Sequence, residues 1–208
     1  MPRVDTDTFY RNALERYGHN AQGAHWESAR SQRVRFAVLR RLLPADLSAL
    51  ILVDVGCGLG DLFRYLEVQG DRPGAYVGID VVEPMVEIAR LRTGEEVLLL
   101  DALRDPLPGA DYYLCSGAMN TLTREETRLF IERCLAASRL GFVFNLLRGE
   151  DDCDTFNYWE PPDIETLARE LGADCAIETG YMHRDFSAAL RHPVQGAIST
   201  DTDVVARP

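Results

Sequence analysis

The stretch Val53-Asp-Val-Gly-Cys-Gly-Leu-Gly-Asp61 constrains the fold more than any other part of the chain. An apolar run opens into glycines at alternate positions, Gly56, Gly58 and Gly60, and then into a helical pattern. Glycine takes positive φ without steric cost, so this punctuation predicts a tight strand-to-helix turn with a closely approached backbone. A strand, a glycine turn and a helix form the opening unit of a parallel α/β sheet. The spacing also narrows the ligand. A dinucleotide-binding turn reads Gly-x-Gly-x-x-Gly, whereas here the third glycine arrives one residue early and Asp61 follows it. A carboxylate at that point removes the close approach a pyrophosphate needs and adds repulsion.

The same alternation runs through the chain. Short apolar runs at 49–55, 75–79, 96–100, 111–115 and 140–147 read as buried parallel strands. Helical patterns fall at 6–17, 28–43, 61–68, 84–91, 124–137 and 161–171. Near the end, 175–181 and 186–191 are strand-like and separated by too few residues for a crossover helix, which predicts an antiparallel pair. The expected fold is α/β: a doubly wound, mostly parallel seven-stranded sheet ending in an antiparallel hairpin, with an N-terminal helical extension. The expected division is 1–48 as a helical lid, 49–191 as the sheet domain and 192–208 as a mobile or loosely docked tail.

Composition removes several function classes. The net charge is -11, which opposes binding to nucleic-acid backbones or anionic membranes and favours a small-molecule substrate. All 22 basic residues are arginine, so Schiff-base chemistry on lysine and a P-loop lysine are both excluded. The five cysteines are scattered, without Cys-x-x-Cys spacing, so they read as reduced core thiols and no metal site is expected. No run is long enough to span a bilayer, and the N-terminus is polar where a signal peptide is apolar, which predicts a cytoplasmic protein. A homodimer is among the assemblies this reading allows.

Open parallel sheets bind ligands at the carboxyl ends of their strands, and here those ends are acidic: Asp54 in the first, Asp80 closing the second (Val-Gly-Ile-Asp), Asp101 closing the third (Leu-Leu-Leu-Asp). The ordered set of Gly-x-Gly-x-Gly, Gly-Ile-Asp and Leu-Leu-Asp, followed by a terminal hairpin, resembles the class I S-adenosylmethionine-dependent methyltransferases, over roughly residues 50–191. The pattern from His25-Trp26 to Arg35-Phe36 also looks like a bacterial subgroup of that class whose acceptors are not known. The resemblance implies a Rossmann-like domain that binds S-adenosylmethionine. Gly56, Gly58 and Gly60 would pass under the methionine and ribose. Asp54 would orient the amino group, Asp80 would accept from both ribose hydroxyls, and Asp101 with the Ala102 amide would address the adenine edge. Val81 would contact the cofactor and Met85 would flank the adenine, Met85 being equally readable as core. The implied activity is methyl transfer to a small molecule. The alternatives are a protein or RNA methyltransferase, or a silent module that binds the cofactor without turnover.

Acceptor choice should lie in the extension. On the helix 28–43, Arg30, Arg33, Arg40 and Arg41 share an outer arc, while Arg35 falls near the middle of the apolar arc. An inward guanidinium needs an acid, either structural or a ligand's carboxylate. Trp26 would cap the site or plug the core. The fourth strand ends in Ser116, Gly117 and Asn120, expected to line the transfer cleft; it lacks the Asn/Asp-Pro-Pro-aromatic motif of many base methyltransferases, so nucleic acid is not the expected partner. Ser116 and Gly117 are also expected to touch the cofactor. Asn145, in an apolar run, is either a satisfied buried amide or a substrate contact. Candidate catalytic groups are His25, Asn145, Tyr158 and Asp185, with His183; Asp185 and His183 flank the terminal turn, where surface-loop chemistry is the expectation.

Overall fold

The structure, a computed structural model, describes residues 4–149 and 154–193. Two helices lead: α1 (Thr6–Tyr17) and α2 (Ala29–Arg41). The sheet region then runs β1 (Ile51–Val55), α3 (Asp61–Gln69), β2 (Ala75–Asp80), α4 (Glu83–Thr93), β3 (Glu96–Leu99), β4 (Ala110–Ser116), α5 (Arg124–Ala137), β5 (Ser138–Leu147), α6 (Pro161–Glu170), β6 (Asp174–Thr179) and β7 (Asp185–Arg191). The expected elements are all present. Their ends shift where a cap or turn takes over: Ser28 is the cap of α2 and accepts from the Ser31 N–H, and 49–50 belong to a turn closed by Leu50 N–H on Leu47 O. The expected tail at 192–208 lies outside the described residues, apart from His192 and Pro193.

The seven strands form one sheet in the order β3-β2-β1-β4-β5-β7-β6. β7 pairs antiparallel with both β5 and β6, while the other pairings are parallel. Period-two alternation sends Leu52, Tyr112, Leu114, Val143 and Ala189 to the face covered by α2 and α3. Val53, Tyr113, Phe142, Phe144 and Phe186 go to the face covered by α5 and α6. Burial on both faces is the parallel-sheet condition, and each buried Leu, Val or Phe among them stabilises the fold by roughly 1.5–3 kcal/mol. Strand order reverses between β1 and β4, and the crevice outside their carboxyl ends is where a ligand fits.

Candidate active site

The β1–α3 turn is built by left-handed glycines. Gly56, Gly58 and Gly60 have φ of 74°, 54° and 75°. A Cβ on Gly56 would lie 2.2 Å from Ala118 Cβ, and one on Gly60 2.5 Å from Thr93 Cγ2. The protein's own packing, rather than a passing ligand, therefore accounts for these two glycines. At Gly58 the nearest atom, Ala24 Cβ, would be 3.9 Å away, so the turn leaves room above its middle residue.

The strand-end carboxylates converge around this turn. Asp80 is buried and accepts from Gly58 N–H at 2.8 Å and Val82 N–H at 3.0 Å, one bond on each oxygen. Each oxygen retains a lone pair for a ligand hydroxyl. Burial raises the pKa of Asp80 from its ordinary value, against the pull of those amides. Asp54 is buried beside it and accepts from the Tyr76 phenol at 2.8 Å. Burial raises its pKa to about 7, with the Tyr76 bond acting in the opposite direction. Asp101 accepts from Leu103 N–H at 2.9 Å in the turn after β3. The Ala102 N–H next to it has no hydrogen-bond partner among the described residues. Asp61 begins α3 and holds Gln32 of α2 at 2.9 Å and Arg92 of α4 at 2.6 Å. Beyond a helix-terminal acid, it is a tie between three helices.

The N-terminal extension roofs the crevice. His25, left-handed at φ 58°, stacks on Phe9 with ring centroids 3.8 Å apart. Its Nε2 donates to Phe9 O at 2.9 Å, which makes Nδ1 the acceptor nitrogen. Trp26 packs edge-on to Phe36 at 5.6 Å and faces Gly117. Arg35 lies 5.1 Å from the Trp26 ring and donates from Nε to Asp185. The inward arginine thus has a structural acid.

Asp185 departs from expectation: it opens β7, is 2% exposed and also accepts from the Tyr181 phenol at 3.1 Å, so it is a buried strand residue rather than part of a surface loop. Burial raises its pKa although Arg35 lowers it. Asp185, Tyr158 and His183 do not line the crevice; Tyr158 is buried 4.5 Å under the Arg184 guanidinium, and His183 is exposed. Asn145 is also behind the wall, donating to Ser116 Oγ at 2.8 Å. Arg40, on the outer arc, binds Asp71 at 2.8 Å, because the chain after α3 returns beside it.

One cleft, about 1190 Å³ counted out through its mouth, joins these parts. Asp54, Gly56, Gly58, Asp80, Val81, Met85, Asp101, Ala102, Ser116, Gly117 and Asn120 line it together with His25, Trp26 and Arg35. Gly60 stands just behind. Tyr10, Gln32, Asp61, Phe130 and Phe156 also line it, and Tyr10 and Phe156 escaped the sequence reading. Tyr10 is on α1, and burial pushes its phenol well above the usual range; its place in the 6–17 helical period is the signal that pointed inward. Among the described residues no group of three or more His, Cys, Asp or Glu is placed to hold a metal.

A parallel sheet with one reversed strand, a left-handed glycine turn and acidic strand ends around one cleft defines a Rossmann-like methyltransferase architecture. The comparisons agree. Residues 52–141 match the family described as a methyltransferase domain. Rv1506c of Mycobacterium tuberculosis, named as a methyltransferase, is 35% identical over 155 residues, covering 66% of this chain and 90% of that protein. The chain belongs to the class I S-adenosylmethionine-dependent methyltransferases. Among solved structures, magnesium protoporphyrin IX methyltransferase of Synechocystis with bound S-adenosylmethionine matches with TM-score 0.66 and 16% identity, over 92% of this chain and 99% of that one. Human N-acetylserotonin methyltransferase, also in complex with S-adenosylmethionine, matches at 0.66 and 17%, over 92% and 60%. At those identities the likeness is one of fold. No helix among the described residues is long and apolar enough to cross a membrane.

Proposed function

We propose that the chain transfers the sulfonium methyl of S-adenosylmethionine to an oxygen, nitrogen or sulfur atom of a small molecule. The observation that carries the acceptor class is the roof. Tyr10, His25 and Trp26 lie over the strand ends, so an acceptor must fit inside the cleft beside the donor. The acceptors in the names of the two structural neighbours, a porphyrin and N-acetylserotonin, are consistent with that size class.

The donor fits the residues present. The spare lone pairs of Asp80 suit paired ribose hydroxyls, and the unused Ala102 N–H with Asp101 suits a purine edge. Val81 and Met85 would flank it, Asp54 would face the ammonium, and the lining glycines Gly56 and Gly58 would form the cradle, with Gly60 holding the turn from behind. The bound cofactor supplies an electrophilic methyl carbon. What the chain adds is positioning and exclusion of water, which can supply much of the acceleration of an in-line displacement. Ser116, Gly117 and Asn120 bound the transfer end, and Trp26 closes it. Where the acceptor must lose a proton, His25, which lines the cleft, is the candidate base. Labelled S-adenosylmethionine added to a cell lysate tests this: methyl label should appear in the small-molecule fraction. Label confined to protein or RNA overturns the acceptor class, and a chain that binds donor yet transfers to nothing is a sensor.

A further inference from the structure

We infer that Arg35 forms a carboxylate subsite in the cleft, an inference that rests on the methyltransferase reading above. The guanidinium is held in place on two sides. Its Nε donates to Asp185 and its plane lies by the Trp26 indole, 5.1 Å from carbon to centroid. Asp185 is itself fixed: its other oxygen accepts from Tyr181, whose hydroxyl also meets Ser187 Oγ at 2.8 Å. This leaves the four N–H donors of Nη1 and Nη2 with no hydrogen-bond partner among the described residues, on a side chain that is 12% exposed and lines the cleft. A structural ion pair alone would be served by a fork-to-fork grip, and the Asp185 contact uses only the Nε edge. The end-on pair of Nη groups is the geometry that takes a carboxylate with two parallel bonds.

Charge points the same way. Four carboxylates line the cleft, Asp54, Asp61, Asp80 and Asp101, against one arginine among the described lining residues. An anionic group on a ligand therefore has one cationic partner there. It has two sources: the α-carboxylate of the cofactor's methionine, or a carboxylate on the acceptor.

The test uses the full chain and a paired variant, Arg35→Met with Asp185→Asn, which removes both charges and leaves no buried acid unpaired. In the first arm, calorimetry compares S-adenosylmethionine with its decarboxylated analogue. In the second, protein saturated with S-adenosylhomocysteine is melted with benzoate or with neutral benzamide. Preference for the carboxylate by about tenfold or more in the first arm, abolished in the paired variant, assigns the subsite to the cofactor. Stabilisation by benzoate alone, again lost in the paired variant, assigns it to the acceptor. A wild-type protein that binds S-adenosylmethionine yet discriminates in neither arm overturns the inference and leaves Arg35 a structural ion pair. No heat with either nucleoside brings down the reading of the cleft and this inference with it.

Discussion

Replacing Asp80 is the sharpest test of how the cleft holds its nucleoside. In Asp80→Ala two things are lost. The first is the pair of charge-assisted bonds to ribose hydroxyls, each worth about 1.5–3 kcal/mol. Because they share one carboxylate they are not fully additive, so a joint loss of about 3 kcal/mol is expected, or about 100-fold in Kd. The second is internal: the Gly58 and Val82 amides, 2.8 and 3.0 Å from the carboxylate, lose their acceptor at about 1–3 kcal/mol each. Removing a buried acid whose pKa is already raised by burial offsets part of that. The net is a fall in Tm of several degrees, at about 2–4 °C per kcal/mol for a chain of this size. Calorimetry with S-adenosylhomocysteine reads the first loss and thermal melting the second. Comparing adenosine with 2′,3′-dideoxyadenosine separates ribose recognition from a loosened turn, since only the wild type should prefer adenosine. A cooperatively folded Asp80→Ala that binds within about threefold of wild type, or that keeps the preference for adenosine, refutes the assignment.

Asp54 gives a pH signature. Its pKa of about 7 in the free protein should fall when a ligand ammonium arrives, so affinity for S-adenosylmethionine rises as pH climbs through about 7 and a proton is released on binding at about pH 6. Calorimetry in buffers of different ionisation enthalpy measures that proton, and Asp54→Asn should abolish it. The sign for folding is opposite: a pKa raised above the unfolded 3.8 makes the contribution of Asp54 greatest below about pH 4 and lost as pH rises through 7. Gly56→Ala should destabilise by more than the ~1–2 kcal/mol of left-handed strain, because its Cβ also meets Ala118. Gly70→Ala, at φ 76° in open space, should show the strain alone in urea melts, and Ala118→Gly should recover the difference. Tyr158→Phe should leave kcat/KM for methyl transfer unchanged, since the phenol is outside the cleft.

The strand ends were legible because their information is local. Asp54, Asp80 and Asp101 each close a short apolar run, and in a parallel sheet such positions share one edge, so three separate stretches predict one site. The glycine turn was legible in shape but not in cause: Gly56 and Gly60 owe their identity to Ala118 and Thr93, which lie 62 and 33 positions downstream. The partner of Arg35 was legible only as a requirement. An inward guanidinium demands an acid, yet nothing in the helical period chooses Asp185, 150 positions away, from 33 acidic residues. Asp185 looked like turn chemistry because His183 and Arg184 precede it, whereas antiparallel pairing of β7 with β5 carries it inward opposite Leu147.

That pairing also divides the extension, which the sequence presents as one lid over 1–48. We expect two parts with different dynamics. α2 is tied to α3 by Gln32 and Asp61, to the following loop by Arg40 and Asp71, and to β7 by Arg35 and Asp185. It buries Phe36, Val38 and Leu39 as well. α1 fully buries Ala13 alone, packs Tyr10 and Leu14 only partly buried against Leu59, Val82 and Met85, and meets the rest of the roof through ring contacts of Phe9 with His25 and Phe156 and of Tyr10 with His25. Fewer fully buried apolar side chains than α2 mean a lower free energy of local opening, so α1 is the part that can admit ligands while α2 remains a fixed wall. Amide hydrogen exchange should show α2 protected near the level of the central strands and α1 exchanging much faster. Saturating S-adenosylhomocysteine should slow α1, because Thr6 and Tyr10 line the cleft, and leave α2 nearly unchanged. Equal protection of the two helices in the free protein, or a ligand effect confined to α2, would show that the extension opens as a single piece.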